Sequence, residues 1–392
     1  MDVYEKALAM HKKYRGKLSI EGKVPCENKE DLTYAYTPGV AKPCLEIAKD
    51  EENSFVYTNR GNLVAVVSDG SAVLGLGNIG ASAALPVMEG KALLFKKFAG
   101  IDAFPICLKT QDPQEIINIC KNLEPCLGGI NLEDISAPRC VEIERTLIKE
   151  MNIPVFHDDQ HGTAIVVLAA LINCSRLMKK PCDQYRIVVS GTGAAGSSII
   201  KMLYNYGFTN IIAFDINGCL NADDQDQYDE LKKELLNYVN LDNKKYASLA
   251  QGLEGADVFI GVSAPNLVTK EMVKSMSAKP IIFAMANPTP EISYQDAKEA
   301  NAYIIGTGRS DFPNQINNLL AFPGIFKGAL AAKATKITEK QKIAASKAIA
   351  YLIKDEELSE EYIVPSPFDD RVVKSVCEAV KESCILEGNI RK

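Results

Sequence analysis

Two pairs of adjacent carboxylates each come after an apolar stretch of the sequence. Glu133 and Asp134 follow LGGIN, and Asp158 and Asp159 follow IPVFH. If these stretches are neighbouring strands, their ends bring four negative charges together, which is costly unless a cation neutralises them. Oxygen ligands favour Mg²⁺ or Mn²⁺, and a chain with three histidines offers little for zinc. Taken alone, helix caps or solvated turns are the alternative interpretation.

A glycine-rich loop indicates dinucleotide binding. After the strand-like run RIVVS, the G-x-G-x-x-G pattern is matched by Gly191, Thr192, Gly193, Ala194, Ala195 and Gly196. A helix-like run, SSIIKMLYNYG, follows it, so a pyrophosphate would lie at a helix N-terminus. Asp215 ends the next strand-like run, where a carboxylate accepts a hydrogen bond from the adenosine ribose.

The charge near Asp215 predicts the cofactor. An NADP site usually offers a basic group to the 2′-phosphate, but residues 216–231 contain no lysine or arginine. NAD is therefore favoured, with NADP still open because Lys232 and Lys233 could fold back. A second match to the glycine pattern, residues 75–80, lacks the acidic residue and is interpreted as a loop lining a cleft.

The elements that carry these residues form two α/β units. The runs RIVVSG, NIIAFD, DVFIGVS, PIIFAMAN and AYIIGTG alternate with helical segments, which predicts a doubly wound parallel sheet of the Rossmann type. Residues 1–159 read as a separate α/β domain, and residues 160–392 as the nucleotide-binding domain with C-terminal helices. Thr338 and Gln341 have capping-box spacing and predict the start of one such helix.

Composition excludes several classes of function. The chain has 392 residues with 44 basic and 50 acidic side chains, so it lacks the basic surface expected for nucleic acid or anionic membrane. The longest apolar run, residues 164–172, is too short to span a bilayer, and no signal peptide is evident. Eleven cysteines without a Cys-x-x-Cys pair predict free, mostly buried thiols and a cytoplasmic protein. A small metabolite is the expected partner.

Several longer motifs carry a family resemblance. They are TYAYTPGVAKPC, SDGSAVLGLGNIGASAALPVMEGKALLFKKFAG, NLEDI, VFHDDQHGTA, ANPTPEI, QINNLLAFPG and PSPFDDR. In this order they resemble the signature segments of malic enzymes, in particular the short prokaryotic type, from about residue 30 to residue 372. The resemblance implies an N-terminal malic-enzyme domain, a homodimer, and oxidative decarboxylation of (S)-malate to pyruvate and CO₂ with NAD or NADP and a divalent cation.

The resemblance also assigns roles to individual residues. It places the metal ligands at Glu133, Asp134 and Asp159, the general base at Lys91, the general acid at Tyr36, and substrate-binding amides at Asn287 and Asn318, with Asn287 also near the cofactor. Asp158 would support Lys91. Each residue also has a structural alternative, such as an exposed helix lysine for Lys91 or a core aromatic for Tyr36.

Two expectations concern the chemistry of these residues. Lys91 must accept a proton, so burial and a nearby cation are expected to lower its pKa. Larger malic enzymes bind a malate carboxylate through an arginine in the loop before the Gly75 segment, but residues 69–73 here read DGSAV. Ser71, Gly75 and Gly77 are the expected replacement donors together with the asparagines, and Lys109 is a further candidate.

Two other functions remain open. A malolactic enzyme resembles the same family but retains NAD and releases lactate. A nucleotide-binding regulator would keep the fold without the chemistry, which the complete set of Tyr36, Lys91 and the carboxylates argues against.

Overall fold

The computed structural model describes residues 2–391. In the first part of the chain the helices are α1 (Val3–Tyr14), α2 (Lys29–Ala35), α3 (Ala41–Lys49), α4 (Ser54–Tyr57), α5 (Ala81–Leu94), α6 (Pro113–Leu123) and α7 (Arg139–Glu150). The strands are β1 (Leu63–Ser68), β2 (Asp102–Cys107), β3 (Gly129–Leu132) and β4 (Val155–His157). They form one parallel sheet in the order β2-β1-β3-β4.

The second part contains a larger sheet with helices around it. Its helices are α8 (Asp158–Met178), α9 (Ala194–Tyr206), α10 (Glu230–Leu235), α11 (Leu249–Leu253), α12 (Lys270–Lys274), α13 (Tyr294–Glu299), α14 (Phe322–Ala331), α15 (Glu339–Ala350) and α16 (Arg371–Glu387). Its strands are β5 (Arg186–Ser190), β6 (Asn210–Asp215), β7 (Gly218–Cys219), β8 (Val258–Gly261), β9 (Ile281–Ala284) and β10 (Ile304–Thr307).

The larger sheet has the order β10-β9-β8-β5-β6-β7, and only the short β7 runs antiparallel to its neighbour among the described strands. The chain moves outward from β5 in one direction and then returns to build β8, β9 and β10 on the other side. Such a reversal opens a crevice at the carboxyl ends of the strands. The five apolar runs of the sequence are the five parallel strands, which confirms the predicted Rossmann-type fold.

Helix α8 joins the two sheets. It begins at Asp158, so the predicted boundary between residues 159 and 160 falls within its first turn. By length and composition α8 could cross a membrane, but 67% of its apolar window is buried inside the fold. It packs against α9 and α15, and its apolar side chains form part of the main core.

The predicted start of one helix is confirmed, whereas the predicted burial of the cysteines is not. Thr338 caps α15 through a capping box with Gln341, as predicted. The charged segment after Asp229 is helical over Glu230–Leu235, and the final helix, α16, spans 17 residues. All eleven cysteines are free, but the expectation that most are buried is wrong, because only four are.

Candidate active site

A cavity of about 1100 Å³ lies between the two sheets. Its walls come from one face of α5, the first turns of α8 and α9, and the segments after β1, β3, β8, β9 and β10. Apart from β7 both sheets are parallel, so each presents its strand ends, where polar side chains and loop backbone collect, to this space. Of the residues named from the sequence, the cavity wall includes Gly75, Lys91, Glu133, Asp134, Asp159, Ala194, Ala195, Asn287 and Asn318.

Three carboxylates meet on one side of the cavity. Glu133, Asp134 and Asp159 each offer an oxygen, and these oxygens lie within 4.8 Å of one another. Asp159 also accepts a hydrogen bond of 2.8 Å from the backbone N–H of Asp134. Burial raises the pKa of Glu133 well above its usual value, although Lys91 opposes that shift. A compact, partly buried set of oxygen ligands fits Mg²⁺ or Mn²⁺, which bind through carboxylates.

Lys91 projects from α5 into the carboxylate cluster. Its Nζ lies 2.5 Å from Asp158 Oδ2 and 2.9 Å from Glu133 Oε1, and its side chain is 8% exposed. The ring of Phe322 lies under the ammonium, 4.5 Å from centroid to Nζ. The lysine is therefore held by two anions and an aromatic face.

The pKa of Lys91 differs from expectation. Burial lowers it, as predicted, but the charges of Asp158 and Glu133 outweigh burial and raise the pKa above its ordinary value. Burial therefore does not suffice to lower the pKa of Lys91, and the expected effect of a nearby cation stays a prediction. The physical reason is that the lysine itself neutralises the carboxylates, so its proton is stabilised by the charges expected to hold the cation.

Asp158 lies behind Lys91, fully buried. Its neighbour along α8 is Gly162, where a Cβ atom would overlap Asp158 Oδ1 and crowd Asn318. The glycine thus permits the close approach of Asp158, Asn318 and the helix backbone. Sequence reasoning missed Gly162, although a glycine inside an apolar helix is a sign of close packing.

The glycine-rich loop leads into α9 at the other side of the cavity. Gly191 has a φ of +107°, and a Cβ there would press on Val262 O, while a Cβ at Gly196 would overlap Gly191 O. Apart from Gly193 itself and its neighbours in the chain, no heavy atom lies within 4 Å of the Cβ position at Gly193, so the loop is open where a phosphate would approach. The N-terminus of α9 and this open backbone fit the pyrophosphate of a dinucleotide.

Asp215 lies at the end of β6, as predicted, but it is not free. Lys232 on α10 folds back so that its Nζ lies 2.6 Å from Asp215 Oδ2, and the other carboxylate oxygen accepts the N–H of Asn217. The ion pair raises the pKa of Lys232. A basic group therefore lies beside the acidic residue of the adenosine site.

Asn287 is held by two loop contacts. Gly75 packs so closely against Asn287 O that any side chain at position 75 would clash. Below it, the fully buried carboxylate of Glu291 accepts the N–H groups of Ser263 and Ala286, at 2.9 and 3.1 Å. Glu291 thereby joins the loops after β8 and β9, which sequence reasoning had missed.

Four of the residues expected to bind or protonate the substrate lie outside the cavity wall. The hydroxyl of Ser71 donates to Asp69 Oδ1 at 2.5 Å and accepts the N–H of Ser136 at 2.9 Å, so it supports a loop instead of offering a donor to substrate. Gly77 and the exposed Lys109 are also absent from the wall. Tyr36 follows α2 on the surface, 68% exposed, and does not reach the cavity of its own chain.

Known proteins are similar to this chain along its whole length. The family model "Malic enzyme, N-terminal domain" matches residues 15–148, and "Malic enzyme, NAD binding domain" matches residues 160–385. A bifunctional malic/malolactic enzyme of Bacillus subtilis is 54% identical, over 100% of this chain and 95% of that protein. An NAD-dependent malic enzyme of Geobacillus stearothermophilus is 51% identical, over 100% of this chain and 81% of its own length.

Solved structures agree with these matches. A malic enzyme from Pyrococcus horikoshii superimposes with a TM-score of 0.95 at 47% identity, covering 100% of this chain and 92% of that one. An NAD-dependent malic enzyme from Thermotoga maritima gives a TM-score of 0.92 at 51% identity, covering 96% and 98%. Proteins named as NADP-dependent are also similar, for example one from Escherichia coli at 48% identity, of which the chain covers 51%.

Proposed function

The chain belongs to the malic enzyme family, which oxidatively decarboxylates (S)-malate to pyruvate and CO₂, and we propose that the cavity between its two sheets is where this occurs. One observation carries the proposal. Lys91, the carboxylates of Glu133, Asp134 and Asp159, and the first residues of the dinucleotide helix line one cavity. A proton acceptor, a cation site and a hydride acceptor are what the reaction requires.

Each of these residues has a proposed role in the reaction. Glu133, Asp134 and Asp159 would hold Mg²⁺ or Mn²⁺, which acts as a Lewis acid on the oxygens of the substrate when bound. Lys91 in its neutral form accepts the proton of the C2 hydroxyl, and Asp158 keeps its Nζ directed at the cluster. The amides of Asn287 and Asn318 orient the substrate carboxylates in place of an arginine. Tyr36 returns a proton to C3 after CO₂ has left.

The reaction itself can be tested directly. With (S)-malate, Mn²⁺ and NAD, we expect NADH and pyruvate to form in equal amounts, because the oxidised product leaves the site. The bifunctional relative makes a malolactic activity the second candidate. Simultaneous measurement of NADH absorbance, pyruvate and lactate distinguishes the two, with (R)-malate as the control. Lactate without net NADH would contradict the malic-enzyme proposal, and no turnover at all would favour a regulator.

We propose NAD as the preferred cofactor, with NADP accepted through Lys232. The Asp215 carboxylate suits a ribose hydroxyl and repels a 2′-phosphate, while Lys232 at 2.6 Å offsets part of that repulsion. Lys232→Met is expected to lower kcat/KM for NADP about tenfold or more and to change the value for NAD by less than about twofold, since a charge-assisted contact is worth roughly 1.5–3 kcal/mol.

The neighbouring Lys233 provides the control for this comparison. It pairs with Glu230 on the helix surface, 2.8 Å away, so Lys233→Met should leave both cofactors unaffected. Steady-state kinetics with each cofactor at saturating malate and Mn²⁺ measure the ratio. Equal losses for NAD and NADP in Lys232→Met, or the same loss in Lys233→Met, would remove Lys232 from cofactor selection.

The position of Tyr36 supports a homodimer. Helices α1, α2 and α3 contain no buried residue. Apolar side chains are exposed on α2 and α3 and, separately, on α5 and the edge strand β2; they include Leu32, Tyr34, Leu45, Leu85, Leu93 and Phe104. Such surfaces mark protein contacts. Since α5 also carries Lys91, a second copy seated there would bring its Tyr36 towards the cavity.

The remaining expectations concern partners and location. Malate and pyruvate are the proposed small-molecule partners, and the net charge of −6 gives no reason to invoke nucleic acid or a membrane. Eleven free cysteines support a reducing compartment, so the cytoplasm stays the proposed location. The division at residue 159 also stays a prediction.

A further inference from the structure

A second group of buried polar side chains lies next to the cavity but not in its wall. It consists of Glu144 on α7, His161 on α8 and Lys342 on α15. Glu144 Oε2 lies 2.8 Å from His161 Nε2, and Lys342 Nζ lies 3.0 Å from His161 Nδ1. All three side chains are largely withdrawn from solvent. The proposed reaction uses none of them.

The direction of each hydrogen bond in this group follows from its donors. A lysine ammonium can only donate, so His161 Nδ1 accepts and the ring proton lies on Nε2, directed at Glu144. Burial alone would raise the pKa of Glu144, but His161 and Lys342 lower it to about 2. The group is thus a buried cation and anion joined through a neutral imidazole, and removing either charge leaves the other unpaired.

At one end of the group, Glu144 binds the backbone at the start of α8. The second oxygen of Glu144 accepts the backbone N–H of His157 at 2.7 Å. His157 is the N-cap of α8, makes no side-chain capping bond, and directly precedes Asp158 and Asp159. An anion at a helix N-terminus is favourable and fixes the first turn. Glu144 therefore sets the backbone from which both aspartates project.

The other end is anchored in the dinucleotide-binding part of the chain. Lys342 lies on α15, which packs against α8. Ser198 Oγ, on the helix that follows the glycine loop, lies 3.4 Å from His161 Nδ1. Because His161 is one turn beyond Asp158 on the same helix, the hydrogen bonds run from α9 and α15 to the first turn of α8.

We propose that Glu144, His161 and Lys342 form a positioning network that orients Asp159 for cation binding from the dinucleotide side of the molecule. The inference rests on the proposed metal site. Groups that orient metal ligands from outside the coordination sphere commonly change metal affinity by 10- to 100-fold when they are replaced. A buried ion pair with a purely structural role would instead change stability and leave the affinity alone.

The test is Mn²⁺ binding to the Lys342→Met protein, measured by electron paramagnetic resonance of the free ion without malate or turnover. We expect the Kd for Mn²⁺ to rise about tenfold, while the Kd for NAD without metal changes less than about twofold. Lys340→Met, an exposed lysine of the same helix, should match the wild type. Lys342→Arg should recover most of the affinity, since it restores a donor to His161.

A reference variant separates failure of the network from failure of the metal site. Asp159→Asn removes a proposed ligand, and unchanged Mn²⁺ affinity in that protein would overturn the site itself and, with it, the network. A large loss in Asp159→Asn together with wild-type affinity in folded Lys342→Met overturns the network alone. If Lys342→Met does not fold, Mn²⁺ affinity is measured on Glu144→Gln instead. Glutamine keeps an acceptor for the His157 N–H but lacks the negative charge of Glu144.

Discussion

Lys91→Ala is expected to lower kcat by about 10³-fold or more, because general-base catalysis contributes typically 10²- to 10⁴-fold and no second lysine lines the cavity wall among the described residues. The affinity for NAD should change less than about twofold, since the glycine loop and Asp215 lie on the other side of the cavity. Stopped-flow measurement of NADH formation and equilibrium binding of NAD separate the two effects.

The control and the rescue distinguish loss of a base from loss of structure. Lys97→Ala removes an exposed lysine just beyond the same helix and should keep wild-type kcat. Lys91→Ala also leaves Glu133 and Asp158 without their cation, so its thermal stability should depend more strongly on Mn²⁺ than that of the wild type. Added ammonium or methylamine should restore part of the activity. Unchanged kcat in a folded Lys91→Ala protein would exclude the base assignment.

The raised pKa of Lys91 matters for this prediction, because only a neutral lysine can act as a base. A protonated lysine cannot accept a proton, and the charges of Asp158 and Glu133 raise the pKa of Lys91. When Glu133 shares its charge with a cation, the field that holds the proton on Lys91 weakens. A cation bound by the carboxylates is therefore expected to favour the neutral, basic form of Lys91.

The sequence predicted most of the framework because its signals are local. The five continuous apolar runs became the five parallel strands, since strands buried on both faces need no polar alternation. The glycine loop was identifiable because the backbone at Gly191 and Gly196 excludes side chains. The carboxylates of Glu133, Asp134 and Asp159 were brought together because neighbouring parallel strands end at the same edge.

Other features depend on contacts between distant residues and leave no local pattern. The Lys232–Asp215 pair forms because Lys232 of α10 folds back to the end of β6, a contact that the sequence left open because Lys232 lies just beyond the stretch 216–231 without basic residues. His161 and Lys342 are 181 residues apart in sequence and meet only in the folded core. The start of α8 at Asp158 also escapes the apolar pattern, because Asp158 and Asp159 read as a strand end, although acidic residues also favour a first helical turn.

Tyr36 is a different case, because its expected place depends on a second molecule. A single chain leaves Tyr36 exposed together with the apolar residues of α2 and α3, and it leaves Leu85 and Leu93 of α5 uncovered beside the cavity that contains Lys91. If the surface formed by α2 and α3 of one copy packs against α5 of the other, each active site combines the Lys91 of one protomer with the Tyr36 of its partner. This arrangement predicts a result that no single-chain site can produce.

Mixing two inactive proteins is expected to restore activity. Tyr36→Phe and Lys91→Ala each lack one proton-transferring group, and each should be nearly inactive alone. After subunit exchange at equal concentrations, about half of the dimers are hybrids, and each hybrid has one site with both groups and one with neither. Specific activity should therefore recover to about 25% of the wild-type value, measured as NADH formation after brief incubation in mild denaturant and dilution.

The outcome depends on geometry and not on overall stability, which makes the complementation decisive. If Tyr36 acts within its own chain, every site in every hybrid lacks one group, and mixing leaves the activity at the level of the parent variants. A mixture of Tyr36→Phe with the Tyr36→Phe, Lys91→Ala double variant controls for effects of the exchange procedure and should stay inactive. Sedimentation velocity identifies the dimer in each sample, and a monomer with full activity would contradict both the shared site and the proposed assembly.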